Sequence, residues 1–410
     1  MKDDSLMTNT FSCIATGRYE SLFRHDIESH VSELHAKTEG KRFLIIGGAG
    51  SIGSSTVRVL MQYSVSAIHL IDISENNLAE LVRDLRGSRL LTNSVDFRAL
   101  PIDYGSEVFH RFLFDQEPYD FIFNFAAIKH VRSEKDIYSV LQMIDTNVMK
   151  QARLLKWLQN FGNTGLRYFS VSTDKAANPV NLMGATKRIM EHVMFWGANK
   201  THGISATSAR FANVAFSDGS LLYGWIKRIE KQQPIPVPIE TRRYFISLEE
   251  AGHICLLSGV LGQNGQIMIP RLTAVELKEL VPIAREFIIS KGFKFREYID
   301  EGRSVDNIEN DMLDGFYPLL LTPLDTSGEK PFEEFVGEGE HAIEIGMKQL
   351  LAIEHVPPEN GSIEEFLGKA EKIISSLEHG VSKCEIVEAM AHVISQLRHA
   401  ETGKCLDDRL

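Results

Sequence analysis

From Lys41 onward, the sequence alternates between short apolar runs rich in β-forming residues and longer stretches of helical character. The apolar runs read RFLIIGG, AIHLIDI, VDFRALP, DFIFNFAA and RYFSVSTD. Strands that alternate with helices usually build one parallel sheet, because each parallel strand needs a crossover connection that packs on a sheet face. We therefore predict an α/β fold based on a doubly wound parallel sheet.

A glycine-rich loop follows the first of these runs. Gly47, Gly50 and Gly53 have the spacing G-x-x-G-x-x-G, and the residues after them have helical character. Glycines in this position let the backbone turn tightly and approach a pyrophosphate, which then binds to free N–H groups at the helix N-terminus. We predict a Rossmann-type dinucleotide site in which Ser51 and Ile52 donate those amides.

Acidic and small residues at the ends of the following runs complete this predicted site. The second run ends at Asp72, whose carboxylate can accept both hydroxyls of an adenosine ribose and would repel a 2′-phosphate. No Arg or Lys in IDISENN could bind such a phosphate, so NAD is favoured over NADP. Asp103 after the third run is a candidate for the adenine amino group, and Ala126, Ala127 and Lys129 follow the fourth run, where a cofactor crosses the strand ends.

Composition excludes several other classes of protein. Lys plus Arg 44 against Asp plus Glu 55 gives a net charge of −11, which disfavours a nucleic-acid partner. Four cysteines without a C-x-x-C pair predict neither a zinc site nor a disulfide framework, and we expect no metal. The acidic start MKDDSLMTNT and the lack of a long apolar stretch predict a cytoplasmic protein without membrane insertion.

The stretch RYFSVSTDKAANPVNLMGATKRIMEHVMF carries the catalytic motifs. It holds S-T-D-K at 172–175 and M-G-A-T-K at 183–187, and resembles the active-site segment of extended short-chain dehydrogenases, specifically the CapD-like UDP-N-acetylglucosamine 4,6-dehydratases of polysaccharide biosynthesis. The similarity continues through AAIKHVRSEKD, the pair Thr146 and Asn147, RFANVAFSDGS and TRRYFISLEEA, and covers about 42–270.

The resemblance implies a role for each residue of these motifs. Lys187 would bind the nicotinamide ribose, and Thr173 would hydrogen-bond the carbon 4 hydroxyl of the sugar. Lys175 is the candidate base for the carbon 5 proton, and Asp174 would protonate the departing carbon 6 hydroxyl. Met183 stands where most of these enzymes have a tyrosine, and it places the chain in a methionine-bearing branch that keeps the carbon 5 configuration.

On the substrate side, the resemblance points to Asn213 as a contact of the diphosphate or sugar and to Arg243 as the partner of the nucleotide diphosphate. We expect UDP-N-acetylglucosamine as substrate and a 4-keto-6-deoxy sugar nucleotide for surface polysaccharide as product. A nucleotide-sugar epimerase, a dehydratase of a GDP sugar and a non-catalytic NAD-bound scaffold remain alternatives.

The chain of 410 residues is longer than one ordinary domain. We predict an N-terminal extension at 1–40, an NAD-binding domain at 41–210 with part of 244–270, and a substrate-binding lobe with a helical C-terminal region at 211–410. Long apolar helices near 139–161 and 184–200 resemble those that pair in intersubunit four-helix bundles, so we expect a homo-oligomer, a dimer or tetramer. Capping boxes predict further helices near 274–290, 363–379 and 383–400.

Overall fold

The computed structural model describes residues 11–129, 134, 136–160, 165–323, 332, 334–375 and 382–398. Its largest feature is a nine-stranded sheet with the strand order β3-β2-β1-β4-β5-β6-β10-β15-β14. These strands are β1 (Arg42–Ile46), β2 (Ala67–Asp72), β3 (Asp96–Pro101), β4 (Phe121–Asn124), β5 (Leu166–Val171), β6 (Ile204–Ala209), β10 (Gln266–Pro270), β14 (Ala342–Glu344) and β15 (Leu350–Glu354). Neighbouring strands from β3 to β10 pair in parallel, whereas β15 pairs with β10 and with β14 in antiparallel fashion. The predicted α/β sheet is therefore confirmed.

Successive residues of the central strands pack into two different cores, because side chains alternate between the faces of a sheet. Phe43 and Ile45 of β1 belong to one core, whereas Leu44 and Ile46 belong to the other. The helices around this sheet and before it are α1 (Arg24–Ser29), α2 (Val31–Thr38), α3 (Ser51–Leu60), α4 (Glu75–Gly87), α5 (Glu107–Asp115), α6 (Ile137–Ile144), α7 (Lys150–Gln159), α8 (Leu182–Lys200) and α10 (Leu248–Leu261). A π-helical segment, Asp145–Met149, joins α6 to α7.

A smaller lobe contains two three-stranded sheets and its own apolar core around Trp225, Phe287 and Tyr317. One sheet has the order β11-β9-β7 and consists of β7 (Asn213–Val214), β9 (Arg242–Ile246) and β11 (Leu277–Glu279). The other has the order β12-β13-β8 and consists of β8 (Ile235–Pro238), β12 (Lys294–Tyr298) and β13 (Phe316–Thr322). Its helices are α9 (Leu221–Glu230), α11 (Leu280–Ser290), α12 (Glu301–Asp306) and α13 (Ile308–Leu313).

The C-terminal third differs from the sequence-based expectation in two ways. The capping box at Thr273 caps the N-terminus of only a short 3₁₀ turn, Ala274–Glu276. The helix predicted from residue 274 begins at Leu280. The residues between them form β11 because they pair with β9, and tertiary pairing outweighs the local helix signal. In addition, β14 and β15 return to the large sheet, so residues 342–354, which the sequence assigns to the lobe and helical region, extend that sheet.

Two C-terminal helices, α14 (Ser362–Ser375) and α15 (Lys383–Val393), cover the helices that we expected at a subunit interface. Phe366, Met390 and Val393 pack in one apolar core with residues of α6 and α8 such as Val140 and Ile189. Every α8 residue from Leu182 to Phe195 is buried within the chain itself. This face is therefore occupied by the chain's own C-terminal helices, which differs from the intersubunit bundle that the sequence suggested.

Candidate active site

The glycine loop, Asp72, the residues after Asn124 and the S-T-D-K motif lie at the carboxyl ends of β1, β2, β4 and β5. The strand order reverses between β1 and β4, since the chain runs outward to β2 and β3 on one side and to β4 and β5 on the other. A crevice opens at such a reversal, and ligands of open α/β sheets bind there.

The glycine loop has the close backbone contacts that the motif predicts. Gly47 has a positive φ of 70°, and a Cβ there would lie 2.6 Å from the backbone nitrogen of Ala126, so only glycine fits beside the end of β4. A Cβ at Gly53 would overlap the carbonyl oxygen of Gly47. At Gly50, the N-cap of α3, a Cβ would have only that same carbonyl within 4 Å, at 3.5 Å, and no side chain caps the helix there. The first turn of α3 is thus open to an anion, as a dinucleotide phosphate requires.

Asp72 stands at the end of β2 beside this loop. Its Oδ2 accepts a hydrogen bond of 3.1 Å from the Ala49 amide, and its Oδ1 accepts one of 2.9 Å from the Ser74 amide. Each carboxylate oxygen can accept more than one hydrogen bond. The position next to the loop therefore fits a ribose acceptor, and the residues present fit a dinucleotide with free ribose hydroxyls.

Ser51, the first residue of α3, makes a contact that the sequence did not predict. Its hydroxyl donates a hydrogen bond of 2.8 Å to Oδ2 of Asp218 and accepts one of 2.9 Å from the Asp218 amide. Desolvation lowers the pKa of Lys129, and the negative charge of Asp218 opposes that shift. The segment after β7 therefore reaches the glycine loop, and the Asp218 carboxylate lies near enough to Lys129 to influence its charge.

Asp103, which the sequence predicts as a contact of adenine, makes two hydrogen bonds within the chain through its carboxylate. Its Oδ2 accepts a hydrogen bond of 2.5 Å from Nζ of Lys150, and its Oδ1 accepts one of 2.8 Å from the Gly105 amide. Burial favours a raised pKa, but the Lys150 ammonium and the Gly105 amide together hold the pKa of Asp103 below its ordinary value. The carboxylate thus ties β3 to α7 in this structure.

The turn after β5, residues 173–178, is called the catalytic turn below. It begins with Thr173 and continues as the 3₁₀ segment Asp174–Ala176. Oδ1 of Asp174 accepts hydrogen bonds from the Thr173 hydroxyl at 2.8 Å, from the Lys175 amide at 2.9 Å and from Nζ of Lys175 at 3.1 Å. Oδ2 of Asp174 is buried and has no hydrogen-bond partner in the described part of the chain. The Asp174 carboxylate therefore connects the side chains of Thr173 and Lys175, and its second oxygen stays available for a proton.

The first turn of α8 packs directly against the catalytic turn. A Cβ at Gly184 would lie 2.5 Å from the carbonyl oxygen of Lys175, which explains the glycine of the M-G-A-T-K motif. Met183 is buried, and its amide donates a hydrogen bond of 2.9 Å to Oε1 of the buried Glu134. Glu134 lies in the AAIKHVRSEKD stretch, and the sequence alone gave this residue no role.

Lys187 lies one helical turn beyond Met183 and is also buried. Its Nζ donates a hydrogen bond of 2.6 Å to the carbonyl oxygen of Val171 and lies 3.0 Å from the sulfur of Met190. Burial lowers the pKa of Lys187 to about 8, and the Glu191 carboxylate opposes this shift. The structure thus places the ammonium at the end of β5, next to the catalytic turn.

Asn147 of the Thr146–Asn147 pair links the loop after β4 to α8 through hydrogen bonds. Its Oδ1 accepts a hydrogen bond of 2.9 Å from the Ile128 amide, and its Nδ2 donates 3.0 Å bonds to the Ile128 carbonyl and to the Thr186 hydroxyl. The π-helical segment presents Asn147 to both partners, and π-bulges are frequent at functional sites. The loop after β4 is thereby fixed to α8.

Asn213 and Arg243 lie on neighbouring strands of the same small sheet. Asn213 of β7 is in register with Phe245 of β9, two residues from Arg243, so both side chains project from the same face. Arg243 donates a hydrogen bond of 2.9 Å from Nη1 to the Arg242 carbonyl. Within the described residues no group of three or more His, Cys, Asp or Glu side chains could hold a metal ion.

Comparison with known sequences places these motifs in a wider group. Residues 43–354 match the family described as polysaccharide biosynthesis protein. The chain is 29% identical over 279 residues to the capsular polysaccharide biosynthesis protein CapD of Staphylococcus aureus, which covers 67% of this chain and 44% of CapD. It is 30% identical over 248 residues to a UDP-N-acetylglucosamine 4,6-dehydratase (inverting) of Campylobacter jejuni, which covers 59% of this chain and 70% of that enzyme.

A further relative is an uncharacterized membrane protein of Methanocaldococcus jannaschii, 31% identical over 259 residues, 62% of this chain and 74% of the relative. In the described part of this chain, by contrast, no helix has the length and apolarity to cross a membrane. The chain thus spans less than half of CapD and about three quarters of the archaeal relative.

Two solved structures have the same fold. Pen from Bacillus thuringiensis aligns with a TM-score of 0.62 at 22% identity, over 78% of this chain and 89% of Pen. UDP-glucuronic acid 4-epimerase from Bacillus cereus, solved with UDP-glucuronic acid and NAD, aligns with a TM-score of 0.53 at 16% identity, over 87% of this chain and 99% of the epimerase.

Proposed function

The chain belongs to the polysaccharide biosynthesis protein family of extended short-chain dehydrogenases, and on this premise we propose that it is an NAD-dependent nucleotide-sugar 4,6-dehydratase. The leading substrate is UDP-N-acetylglucosamine, and the product is a UDP-4-keto-6-deoxy-N-acetylhexosamine for surface polysaccharide. The Campylobacter relative named for this reaction supports the substrate, and the motifs of the catalytic turn support the reaction.

The glycine loop and Asp72 would hold NAD, the dinucleotide with which the Bacillus cereus epimerase of the same fold was solved. Gly47 and Gly53 let the backbone approach the diphosphate, and the amides of Ser51 and Ile52 lie in the open first turn of α3. When bound, NAD supplies reversible hydride acceptance. All other steps below are proton transfers by this chain's own residues.

The pair formed by Asp174 and Lys175 can carry both proton transfers of the elimination. As a neutral acid and a neutral amine, the pair offers a base for the carbon 5 proton and an acid for the departing carbon 6 hydroxyl at the same time. Asp174 would take its proton from the carbon 4 hydroxyl through Thr173 during the oxidation, and Lys175 would release its own proton to solvent before the elimination. Thr173, which donates to the same carboxylate, would orient the carbon 4 hydroxyl.

Met183 cannot titrate, so the first proton, from the carbon 4 hydroxyl, needs another acceptor. The hydrogen bond from Thr173 to Asp174 offers a relay to a carboxylate at 2.8 Å. Lys187, with a pKa of about 8 at the end of β5, would bind the nicotinamide ribose once released from the Val171 carbonyl. On the substrate side, we assign the diphosphate to Arg243 and the sugar or diphosphate to Asn213.

The single observation that carries this proposal is the hydrogen-bonded set of Thr173, Asp174 and Lys175 at the carboxyl end of β5. The purified protein should be incubated with UDP-N-acetylglucosamine and, separately, with a GDP sugar, and the products weighed by mass spectrometry. Loss of one water from the UDP sugar alone is expected. Loss from the GDP sugar alone would instead indicate a GDP-sugar dehydratase, an isomer of unchanged mass would indicate an epimerase, and no conversion would favour a scaffold.

A cytoplasmic location and a homo-oligomer stay predictions from the sequence. Because α14 and α15 cover α6 and α8, we propose that contacts between chains use a face other than these helices.

A further inference from the structure

Residues 334–340, named the return segment here, come back from the small lobe and pack against the catalytic turn. The Glu338 amide donates a hydrogen bond of 2.9 Å to Oδ1 of Asn178, and Nδ2 of Asn178 donates one of 2.8 Å to Oε2 of Glu334. A Cβ at Gly337 would overlap the carbonyl oxygen of Ala177. The backbones of the return segment and of the catalytic turn are thus in direct contact.

The far end of the return segment is anchored by a buried carboxylate. Oε2 of Glu340 accepts a hydrogen bond of 2.6 Å from Nη1 of Arg210, and its Oε1 contacts Arg188. Glu340 also accepts a bond of 2.7 Å from the Gly337 amide, and Arg210 donates a bond of 3.1 Å to the Phe335 carbonyl. Because the three charged side chains are nearly inaccessible, the ion pairs are not screened by water.

The same charged cluster reaches the other end of the catalytic turn. Arg210 binds the Glu191 carboxylate through Nε at 2.8 Å and Nη2 at 2.7 Å, and the Ser172 hydroxyl donates to that carboxylate at 2.6 Å. Burial would raise the pKa of Glu191, but Arg210 and Arg188 lower it to about 2, so this group stays charged. Ser172 directly precedes Thr173. The catalytic turn is therefore held at Ser172 by Glu191 and at Ala177 and Asn178 by the return segment.

The return segment also contacts the strand that carries the predicted diphosphate ligand. The ring of Phe335 packs on the ring of Tyr244 in β9, with their centroids 5.6 Å apart, and Tyr244 is next to Arg243. The segment thus lies between the groups assigned to proton transfer and those assigned to substrate binding.

We propose that the return segment is a positioning element, in which Gly337 and Glu340 fix the catalytic turn in its working geometry. This inference rests on the proposed function only because the turnover to be measured is that of the proposed reaction. The contacts that position the catalytic turn do not depend on which reaction occurs. A displacement of about 1 Å of a catalytic group can cost on the order of 100-fold in rate. Loosening the segment should therefore lower turnover and leave cofactor binding intact.

The test compares Gly337→Ala with Gly368→Ala, since a Cβ at Gly368 on α14 would meet nothing within 4 Å. We expect Gly337→Ala to lower kcat by about 10- to 100-fold, with KM for the nucleotide sugar and NAD binding near parental values. Hydrogen exchange of the peptide that contains residues 173–178 should become faster, whereas exchange of the glycine-loop peptide should not change. Gly368→Ala should resemble the parent in every readout.

Glu340→Gln provides a second variant that keeps the shape of the side chain, and it decides the question if Gly337→Ala does not fold. It should also accelerate exchange at 173–178 and lower kcat without loss of NAD. The proposal would be overturned if the folded variants kept the parental hydrogen exchange and the parental kcat. It would also be overturned if both variants lost NAD binding as well as turnover. If the parent converts no nucleotide sugar, the proposed function fails, and the exchange comparison still decides the positioning.

Discussion

Nζ of Lys175 lies 3.1 Å from Oδ1 of Asp174, and Oδ2 of the same carboxylate is buried without a hydrogen-bond partner among the described residues. An ammonium and a carboxylate in this contact form an ion pair. The pair is neutral overall whichever residue holds the proton. Removing either member therefore changes both the chemistry and the charge at the end of β5.

Lys175→Met should lower turnover by about 100- to 10,000-fold, because it removes the proposed carbon 5 base. NAD binding should remain, since the glycine loop follows β1 whereas Lys175 follows β5. Lys156→Met, at an exposed lysine of α7, is the matched control and should leave both properties unchanged. The measurement is product formation by mass spectrometry, beside calorimetric titration with NAD. Turnover near the parental rate would make Asp174 the first alternative base.

Asp72→Ala should weaken NAD binding by about 1–3 kcal/mol, the scale of a lost hydrogen bond to a charged group. The same titration with NADP should show weaker binding than NAD to the parent, because the carboxylate repels a 2′-phosphate. Glu75→Ala changes an exposed acid three positions further on and serves as the control. Tighter binding of NADP by the parent protein would contradict the assignment of Asp72.

The buried ammonium of Lys187 should make stability depend on alkaline pH. Its pKa in the folded protein is about 8, against 10.5 as its ordinary value, because burial disfavours the charge. The unfolded chain therefore binds more protons between these values, and the free energy of unfolding rises with pH in this window. Relative to Lys187→Met, the parent should gain up to about 3 kcal/mol from below pH 8 to above pH 10 in urea unfolding. An equal pH response of parent and variant would refute the depressed pKa.

The C-terminal helices allow a direct test of where chains meet in solution. Met390→Asp places a carboxylate in the apolar core between α15 and α8, and should lower the free energy of unfolding by more than about 3 kcal/mol. The mass measured by light scattering should match that of the parent, because this core lies within one chain. Glu388→Gln, on the exposed side of α15, is the control. A variant of lower mass and parental stability would place a subunit interface at these helices.

The path of hydrogen atoms distinguishes elimination by the proposed residues from other reactions. In deuterium oxide the product should carry one solvent deuterium at carbon 5, and a label at carbon 4 of the substrate should reappear at carbon 6. Met183 predicts that the carbon 5 configuration is kept, whereas the Campylobacter relatives are named inverting. Proton coupling constants of fresh product decide this point. An inverted carbon 5 would show that Met183 does not mark the stereochemistry, and a carbon 4 label lost to water would exclude hydride return.

The sequence predicts the parts of this molecule whose signals are local. The glycine spacing, the acid at the end of β2 and the motifs at 172–175 and 183–187 can each be recognised from residues that are close in sequence. The elements that carry them meet at the carboxyl ends of the parallel strands. Glu340 could not be assigned from the sequence, because its meaning depends on Arg210, which lies 130 residues away. The strand β11 was missed for the same reason, since it forms by pairing with β9 across the lobe.

The two antiparallel strands at the edge of the large sheet affect the order in which the chain can fold. β10 is buried along its whole length, and its outer edge pairs with β15, which a ribosome completes only at residue 354. Until then, the apolar strand QIMIP has an open ladder of backbone donors and acceptors, the kind of edge that recruits other chains. A fragment that ends after α10 and β10 should therefore aggregate, and an expression boundary for the part that holds the large sheet belongs after Glu354.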